Sequence, residues 1–475
     1  MNLTLNVTSL SMKLKFLGEH QMKTVTLVYP YFHPHADTSI FRFPPLGLGY
    51  IAAYLKQNDI SVEVVDCTFL NQKQALKKIT DSKPKIIGIQ SMYSMRKKSL
   101  ELAQLLRDHC ELLVAGGALP TTQPEVFLKD FDVAVIGEGE QTMLELVNQL
   151  ENGGDFSQIK GIAYKDKDTG QVKRTSPRGL VDDLDRLPPP SRDLFDNYSY
   201  KKYYSGRFGY KTTAIMTSRG CPFTCDFCSR PVFGNEFRSR SASKVADEIE
   251  EVISLGYNRI WFADDCFTLD RKRLIEVCDE IIKRGLKIGW ECLSRVDTLD
   301  FETADKMKQA GCVRMFFGIE SGNDAILKIM KKQITTKQAY NATQICKIKG
   351  IKAGAFFILG YPGENNKTIL DTIKFASSLP LDYLSFTLPY PIPGTPLFER
   401  LSGKMVSEEW EEPKNIQMIK HKLLFDSQVS ELKMKFSVIK GMIQFYTRKY
   451  MGEKGYALVG RPFEALTDAI YDKMN

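Results

Sequence analysis

Short apolar runs alternate with amphipathic segments along the amino-terminal part of the chain. Apolar residues recur every three or four positions in Leu46–Gln57, Lys98–Leu106 and Gln141–Leu150, which predicts helices there. The runs between and around them are short and rich in β-branched residues, and they predict five strands: Thr24–Tyr29, Val62–Val65, Ile86–Gln90, Leu112–Ala115 and Val133–Ile136. This alternation predicts a parallel, doubly wound α/β sheet over residues 23–150, with a ligand site at the carboxyl ends of its strands.

The same alternation returns over residues 206–400. Val245, Ile249, Val252 and Ile253 recur at helical spacing, and Gly256 follows as a helix stop. Six predicted strands lie among such helices: Thr213–Thr217, Ile260–Ala263, Lys287–Glu291, Val313–Ile319, Lys352–Leu359 and Tyr383–Leu388. Six β/α units predict a partial (β/α)6 barrel with its chemistry at the strand carboxyl ends.

Residues 151–205 and 401–475 have a different pattern. The first segment contains a hairpin-like run at Lys165–Val172 and three consecutive prolines after Leu187, so we expect a stiff linker. The second predicts a small helical subdomain, basic and amphipathic over Lys414–Met451. We expect its apolar residues to form helix core beneath solvated lysines, and a lipid-facing surface is the alternative. Those residues are Met418, Leu423, Leu424, Met434, Phe436, Ile439, Met442, Ile443 and Phe445.

Composition narrows the class of protein. The 475 residues are 43% hydrophobic and 26% charged, which is typical of a globular chain of roughly three domains. The net charge of +8 is too diffuse to indicate nucleic acid, and no apolar run predicts a membrane span. Residues 1–22 lack the pattern of a secretory leader, so we expect an irregular extension, with Met22 as a possible start. We therefore expect a cytoplasmic protein with reduced cysteines.

Three of the ten cysteines stand close together. Cys221, Cys225 and Cys228 have three and then two residues between them, directly after the first predicted barrel strand. Three thiolates on one loop can converge on a single metal centre, as iron–sulfur proteins require. Zinc and a saturated 4Fe–4S cluster both prefer four ligands, so three indicate a site with one open position. We interpret the other seven cysteines as small buried side chains.

This C-x₃-C-x₂-C motif resembles the signature of the radical S-adenosylmethionine (SAM) superfamily. The resemblance implies that Cys221, Cys225 and Cys228 ligate a 4Fe–4S cluster whose fourth iron binds SAM, which is then cleaved to a 5′-deoxyadenosyl radical. Polar groups at later strand ends fall where the family binds SAM. By resemblance, the cofactor contacts there are Asp265, Arg295, Glu320, Ser321 and Gly360.

The amino-terminal loops resemble the cobalamin-binding domain, of flavodoxin-like fold, that precedes many radical SAM enzymes. The predicted cobalamin contacts are Gly47, Ser91, Met92, Gly116, Gly117, Gly137 and Glu138. The D-x-H-x-x-G motif that supplies a cobalt-binding histidine is absent, and His33 and His35 lie outside that pattern. We therefore expect a lower cobalt face without histidine, approached by Met92, Tyr93, Met95 or water.

The two resemblances together imply a cobalamin-dependent radical SAM methyltransferase that acts on an unactivated carbon or a phosphorus centre. An oxidative cyclase or other ring-forming enzyme with the same cofactors is the alternative, and an iron–sulfur or corrinoid carrier is a third. A methylthiotransferase is disfavoured because only Cys67 and Cys110 lie in the amino-terminal domain. The expected partners are a small-molecule substrate, with a hydrophobic or lipid-like one as a possibility, and a flavodoxin or ferredoxin as electron donor.

Overall fold

A computed structural model describes residues 24–32, 40–153, 155–166, 169–405, 423–425, 427 and 429–474. The expected extension 1–22, His33 and His35 lie outside the described residues. The described residues form two sheets with helices packed on them, followed by a pair of carboxyl-terminal helices. No described helix has the length and apolar character needed to cross a membrane.

The first sheet has the predicted flavodoxin-like core. Its five parallel strands follow the order β2-β1-β3-β4-β5. They are β1 (Val25–Tyr29), β2 (Val62–Asp66), β3 (Ile86–Gln90), β4 (Leu112–Gly116) and β5 (Val133–Val135). Strand order reverses between β1 and β3, which is the point where open α/β sheets of this kind bind ligands.

Helices cover both faces of this sheet because its strands are apolar on both sides. Val25 and Leu27 point into one core and Val28 into the other, as the two-residue period of a strand requires. The helices are α1 (Leu46–Gln57), α2 (Gln72–Asp81), α3 (Arg96–Leu106), α4 (Ala118–Thr122), α5 (Pro124–Phe127) and α6 (Glu140–Glu151). Helices α1 and α6 pack into the first core, and α2 and α3 into the second.

The segment expected as a linker contributes to the first sheet. Strands β6 (Ile162–Lys165) and β7 (Val172–Arg174) form a hairpin, and β6 pairs antiparallel with β5. The hairpin satisfies the free backbone groups along the edge of β5, which explains why it docks there. Only the stretch after it, with the prolines and α7 (Asn197–Phe208), connects the two sheets.

The second sheet is a partial barrel of six parallel strands, as predicted. Its order is β8-β11-β12-β13-β14-β15, so each strand pairs with the next one along the chain. The strands are β8 (Thr212–Ile215), β11 (Arg259–Phe262), β12 (Gly289–Ser294), β13 (Cys312–Glu320), β14 (Lys352–Ile358) and β15 (Tyr383–Thr387). A small antiparallel pair, β9 (Ser218–Arg219) and β10 (Arg238–Ser239), brackets the cysteine loop.

Helices pack on the outside of this partial barrel, and several of them begin at residues that are typical helix N-caps. Asp270, Asp300, Thr335 and Asn365 each accept a backbone N–H in the first turn of the following helix. The helices are α8 (Ala242–Ser254), α9 (Arg271–Lys283), α10 (Phe301–Gln309), α11 (Asp324–Ile329), α12 (Thr336–Lys349), α13 (Asn366–Ser378) and α14 (Pro396–Leu401).

The carboxyl-terminal helices differ from the expected core beneath solvated lysines. Helix α15 (Glu431–Gly455) packs on α13, and α16 (Arg461–Lys473) packs on α15. Met434 and Phe445 are buried as predicted, whereas Ile439 and Ile443 are exposed. Two of the helix's lysines are instead buried, because α16 covers that side and supplies acceptors for one of them. Residues 414–422 of the predicted amphipathic segment, with Met418, lie outside the described residues.

Candidate active site

The three clustered cysteines line one cavity at the carboxyl ends of the barrel strands. This cavity has a volume of about 480 Å³ and contains Cys221, Cys225 and Cys228 in its wall. Gly220 turns the chain into the cysteine loop with a φ of +83°. A β-carbon at Gly220 would collide with the carbonyl oxygen of Glu236, so only glycine fits this turn.

Polar contacts hold the cysteine loop in place. The Asp226 carboxylate is buried between the cysteines, accepts a hydrogen bond from the Tyr361 hydroxyl and pairs with Arg400 at 3.0 Å. Arg230 donates to the carbonyl oxygens of Cys221 and Phe223. These contacts fix the backbone of the loop while its thiols are free to bind a metal.

Among the described residues, no group of three or more His, Cys, Asp or Glu side chains is arranged around a single metal ion. The kind of donor in the cysteine loop is nevertheless that of an iron–sulfur cluster, in which each thiolate binds a different iron. All ten cysteines are free thiols, and three of them share this cavity on one loop, as cluster ligation requires. Desolvation within the cavity raises the pKa of the Cys228 thiol to about 11, so a metal must displace the proton to obtain the thiolate. A fourth cysteine, Cys266, also lines the cavity, although it is almost fully buried and was expected to be packing only.

The two acidic residues that follow β11 differ in their surroundings. Asp264 is buried and accepts hydrogen bonds from the backbone N–H of Thr217 at 2.6 Å and of Ser218 at 3.1 Å. Asp265 is exposed within the cavity, and desolvation together with the Asp264 charge raises its pKa. Asp264 therefore shapes the loop before the cysteines, whereas Asp265 is open to the cavity and its contact with SAM stays a prediction.

Arg295 and Glu320 also line the cavity, and each already has a partner. Arg295 forms a bidentate pair with Asp297 at 2.9 and 2.8 Å. The Glu320 carboxylate pairs with Lys332 at 3.0 Å, at a point where the β13–β14 register shifts and Glu320 has a φ of +71°. Lys332 was not predicted, because nothing in its local sequence distinguishes it from a surface lysine.

Ser321 and Gly360 are not among the residues that line this cavity. The Ser321 hydroxyl lies 3.1 Å from the hydroxyl of Thr372 and is fully buried. Gly360 has a φ of +83°, and a β-carbon there would collide with Met434 of α15. Both residues shape the loops after β13 and β14, so their predicted contacts with SAM remain predictions.

A second cavity lies where the first sheet reverses its strand order. It has a volume of about 300 Å³ and is bounded by residues that follow β1, β2 and β3, namely Tyr29, Tyr31, Phe41, Arg42, Phe43, Thr68, Met92, Ser94 and Met95. At the end of β3, the Gln90 side-chain oxygen is buried and has no hydrogen-bond partner among the described residues. Buried polar atoms of native proteins are nearly always bonded, so this oxygen is available to a polar group of a ligand or to water.

The predicted glycines leave this edge of the sheet open. A β-carbon at Gly47, Gly116 or Gly137 would meet no atom within 4 Å. Gly117 differs, because its φ is +105° and a β-carbon would lie 2.8 Å from the Ser91 carbonyl oxygen. Of the predicted cobalamin contacts, only Met92 lines the cavity itself. The open backbone at Gly47, Gly116 and Gly137 leaves room at the same edge of the sheet for a ligand larger than the cavity, such as cobalamin.

Glu138 has a structural role in addition to its predicted contact with cobalamin, which stays a prediction. It is buried and pairs with Arg219 at 2.6 Å and Arg238 at 2.9 Å, while Arg219 also pairs with Glu140 at 2.6 Å. Because Arg219 precedes the cysteine loop by two residues, this cluster ties the loop after β5 to the cysteine loop. The local sequence gave no sign of it, since the partners are about 80 residues apart.

An aromatic side chain from the first domain separates the two cavities. Phe41 lines both of them. Its ring centroid lies 5.1 Å from that of Trp261, 5.4 Å from Phe316 and 6.2 Å from Phe356, all on barrel strands. The cysteine site and the first-sheet site therefore meet at Phe41.

Known families match both halves of the chain. The radical SAM superfamily matches residues 215–376, and the B12 binding domain matches residues 35–147. An uncharacterized methyltransferase of Pyrococcus horikoshii is 35% identical over 420 residues, which cover 85% of this chain and 88% of that protein. The chain belongs to the cobalamin-binding radical SAM family.

Two further comparisons are with a cyclase and with a methyltransferase whose structure has been solved. The anaerobic magnesium-protoporphyrin IX monomethyl ester cyclase of Rubrivivax gelatinosus is 31% identical over 405 residues, covering 82% of this chain and 72% of that one. The solved structure of the radical SAM methyltransferase TsrM from Kitasatospora setae is 21% identical, with a TM-score of 0.69, and covers 81% of this chain and 77% of that one. That structure shares the fold of this chain.

These findings confirm the predicted fold class, enzyme family and cofactors. This radical SAM enzyme uses a 4Fe–4S cluster, SAM and cobalamin. Like other radical SAM enzymes, it requires a reductant and a small-molecule substrate.

Proposed function

We propose that this protein transfers a methyl group to an unactivated carbon or a phosphorus centre of a small molecule. The observation that carries this proposal is Phe41, which lines the first-sheet cavity and the cysteine cavity at once. Because Phe41 belongs to both walls, a group carried in one cavity lies next to the other. A carrier protein would need no such junction.

In this proposal the chain's residues bind and orient the cofactors. The thiols of Cys221, Cys225 and Cys228 hold the cluster, and Asp265 and Glu320 offer oxygen acceptors to the polar groups of SAM. When bound, the cofactors supply reductive cleavage of SAM and carriage of a methyl group. Lys332 holds the Glu320 carboxylate at 3.0 Å and fixes its position.

The proposed cobalamin site lacks a histidine. Met92 and Met95 line the first-sheet cavity, and they are the groups we assign to the region beneath the corrin ring. Gly47, Gly116 and Gly137 provide the open backbone that a ring and its nucleotide tail need. The Gln90 oxygen is a further candidate contact, which the sequence did not identify.

The walls of the cysteine cavity favour an apolar substrate. Phe41, Trp261, Leu293 and Phe356 are among the apolar residues that line it. Apolar and aromatic walls with a few convergent polar groups are typical of small-molecule sites. We further propose that the enzyme works in the cytoplasm and receives electrons from a flavodoxin or ferredoxin.

Ring formation without methyl transfer is the second candidate, supported by the similarity to the Rubrivivax gelatinosus cyclase. Product analysis of the reconstituted enzyme with SAM, reductant and substrate separates the two. Methyl transfer should yield both S-adenosylhomocysteine and 5′-deoxyadenosine. If 5′-deoxyadenosine forms without S-adenosylhomocysteine, the methyl-transfer proposal is wrong.

A further inference from the structure

Helix α15 presents an unusual face to solvent. From Leu432 to Tyr450, each exposed residue except Lys449 is apolar or aromatic. We define the α15 stripe as these five residues, which are 40% to 76% exposed and recur with the period of a helix: Leu432, Ile439, Ile443, Tyr446 and Tyr450. A surface helix of a soluble protein normally places polar residues on this side.

The buried side of α15, in contrast, carries several polar residues. Lys433, Ser437, Lys440 and Gln444 are all buried. Lys440 is stabilised by Thr467 at 2.6 Å and Asp468 at 2.7 Å, both on α16. The helix therefore buries polar groups, which costs free energy, and leaves large apolar side chains exposed. This arrangement indicates that another apolar surface covers the stripe.

The exposed apolar surface is concentrated here. Of the 19 large hydrophobic residues that are exposed among the described residues, ten lie between Leu432 and Ile470. Scattered exposed apolar residues need no explanation, but the five residues of the α15 stripe share one helix face, and a group of this kind marks an interaction surface.

The charge on the helix indicates which kind of surface covers the stripe. Helix α15 contains six Lys and Arg residues against two Glu residues, but Lys433 and Lys440 are buried, and Glu453 is the one exposed acid of the helix. Lys449 and Lys454 are exposed, as is Arg461 at the start of α16. Such a helix is attracted to the anionic headgroups of a bilayer, whereas two copies of it would repel each other.

We propose that the α15 stripe docks on the surface of an anionic lipid bilayer. In this orientation the apolar residues enter the boundary between headgroups and acyl chains, and the flanking lysines face the headgroups. Tyr446 and Tyr450 stack with their ring centroids 5.9 Å apart, and tyrosines are enriched at this depth of a membrane. The helix lies in the plane of the interface, consistent with the lack of a membrane-spanning helix among the described residues.

Vesicle sedimentation of the full-length holoenzyme tests this proposal. The protein should sediment with vesicles of phosphatidylcholine and phosphatidylglycerol, and much less with phosphatidylcholine alone. The combined variant Ile439→Ser, Ile443→Ser and Tyr450→Ser should bind at least about tenfold more weakly, because it removes three apolar side chains from the interface. These residues are exposed, so the variant should keep the thermal stability of the parent.

A matched control lies on helix α12. Tyr340 and Ile348 are 49% and 67% exposed, and the double variant Tyr340→Ser with Ile348→Ser should change vesicle binding by less than about twofold. Equal loss of binding in both variants would overturn the proposal, as would a parent protein that stays in solution with both kinds of vesicle. Light scattering provides the other decisive result. A dimer that dissociates in the α15 variant would show that a second copy covers the stripe.

Discussion

Replacing Glu138 by Gln should strongly destabilise the protein. Glu138 is 6% exposed and accepts hydrogen bonds from Arg219, Arg238 and the backbone N–H of Val181, at 2.6, 2.9 and 2.6 Å. The variant keeps the shape of the side chain and removes its negative charge. It therefore tests whether the ion-pair cluster, rather than packing, joins the loop after β5 to the cysteine loop.

The magnitude follows from the charge balance. Two guanidinium groups face the carboxylates of Glu138 and Glu140, so the cluster is neutral. Burial alone lowers the pKa of Arg219, but the carboxylates of Glu140 and Glu138 raise it above its ordinary value. In the variant Glu140 still faces Arg219, and a guanidinium does not lose its proton in proteins, so Arg219 stays charged. Loss of one carboxylate leaves one uncompensated buried charge, which costs about 3–5 kcal/mol.

Urea denaturation followed by circular dichroism measures this loss. The matched control is Asp193→Asn, because Asp193 pairs with Lys56 at 2.8 Å with both side chains largely exposed. Its loss should cost less than about 1 kcal/mol. If Glu138→Gln also costs less than about 1 kcal/mol, the cluster does not join the two loops in the way described.

Three other variants test separate parts of the site. Gly220→Ala places a β-carbon against a carbonyl oxygen at a φ of +83°. The iron content of this variant after reconstitution should be lower than that of the control Gly179→Ala, whose β-carbon meets no atom within 4 Å. Equal iron contents in the two variants would contradict this. Burial raises the pKa of Glu364 from 4.5 to about 7. The folded protein therefore favours the protonated carboxyl, which contributes about 3 kcal/mol of stability below about pH 4.5. This contribution is lost as the pH rises through about 7. Glu364→Gln should remove that dependence in denaturation curves across this range, and an unchanged dependence would refute it. Phe41→Ala should lower the ratio of methylated product to 5′-deoxyadenosine by about tenfold, since Phe41 lines both cavities, whereas an unchanged ratio would show that it has no role in transfer.

The elements of both sheets could be predicted from the sequence because their signals are local. Apolar runs and helix caps set the strands and helices, and the cysteine spacing within one loop identified the cluster site. The third barrel strand was predicted at Lys287–Glu291 and lies at Gly289–Ser294, a shift that apolar pattern alone does not resolve.

The contacts between the domains could not be predicted in the same way. Arg219 and Glu138 are far apart in sequence, and Phe41 meets Trp261 only after both domains have folded. The docking of β6 on β5 likewise depends on a free sheet edge, which the sequence of the hairpin does not show. On α15, the apolar period was visible, but the direction it faces depends on where α13 and α16 pack.

The central claim is that one chain holds a three-cysteine iron–sulfur cluster and cobalamin together. The ultraviolet–visible spectrum of protein purified anaerobically from cells grown with cobalamin tests it most directly. We expect both iron–sulfur charge-transfer absorption and corrin bands, with the iron–sulfur absorption lost and the corrin bands kept in Cys225→Ala. A spectrum without corrin bands, or an intact cluster in Cys225→Ala, would contradict it.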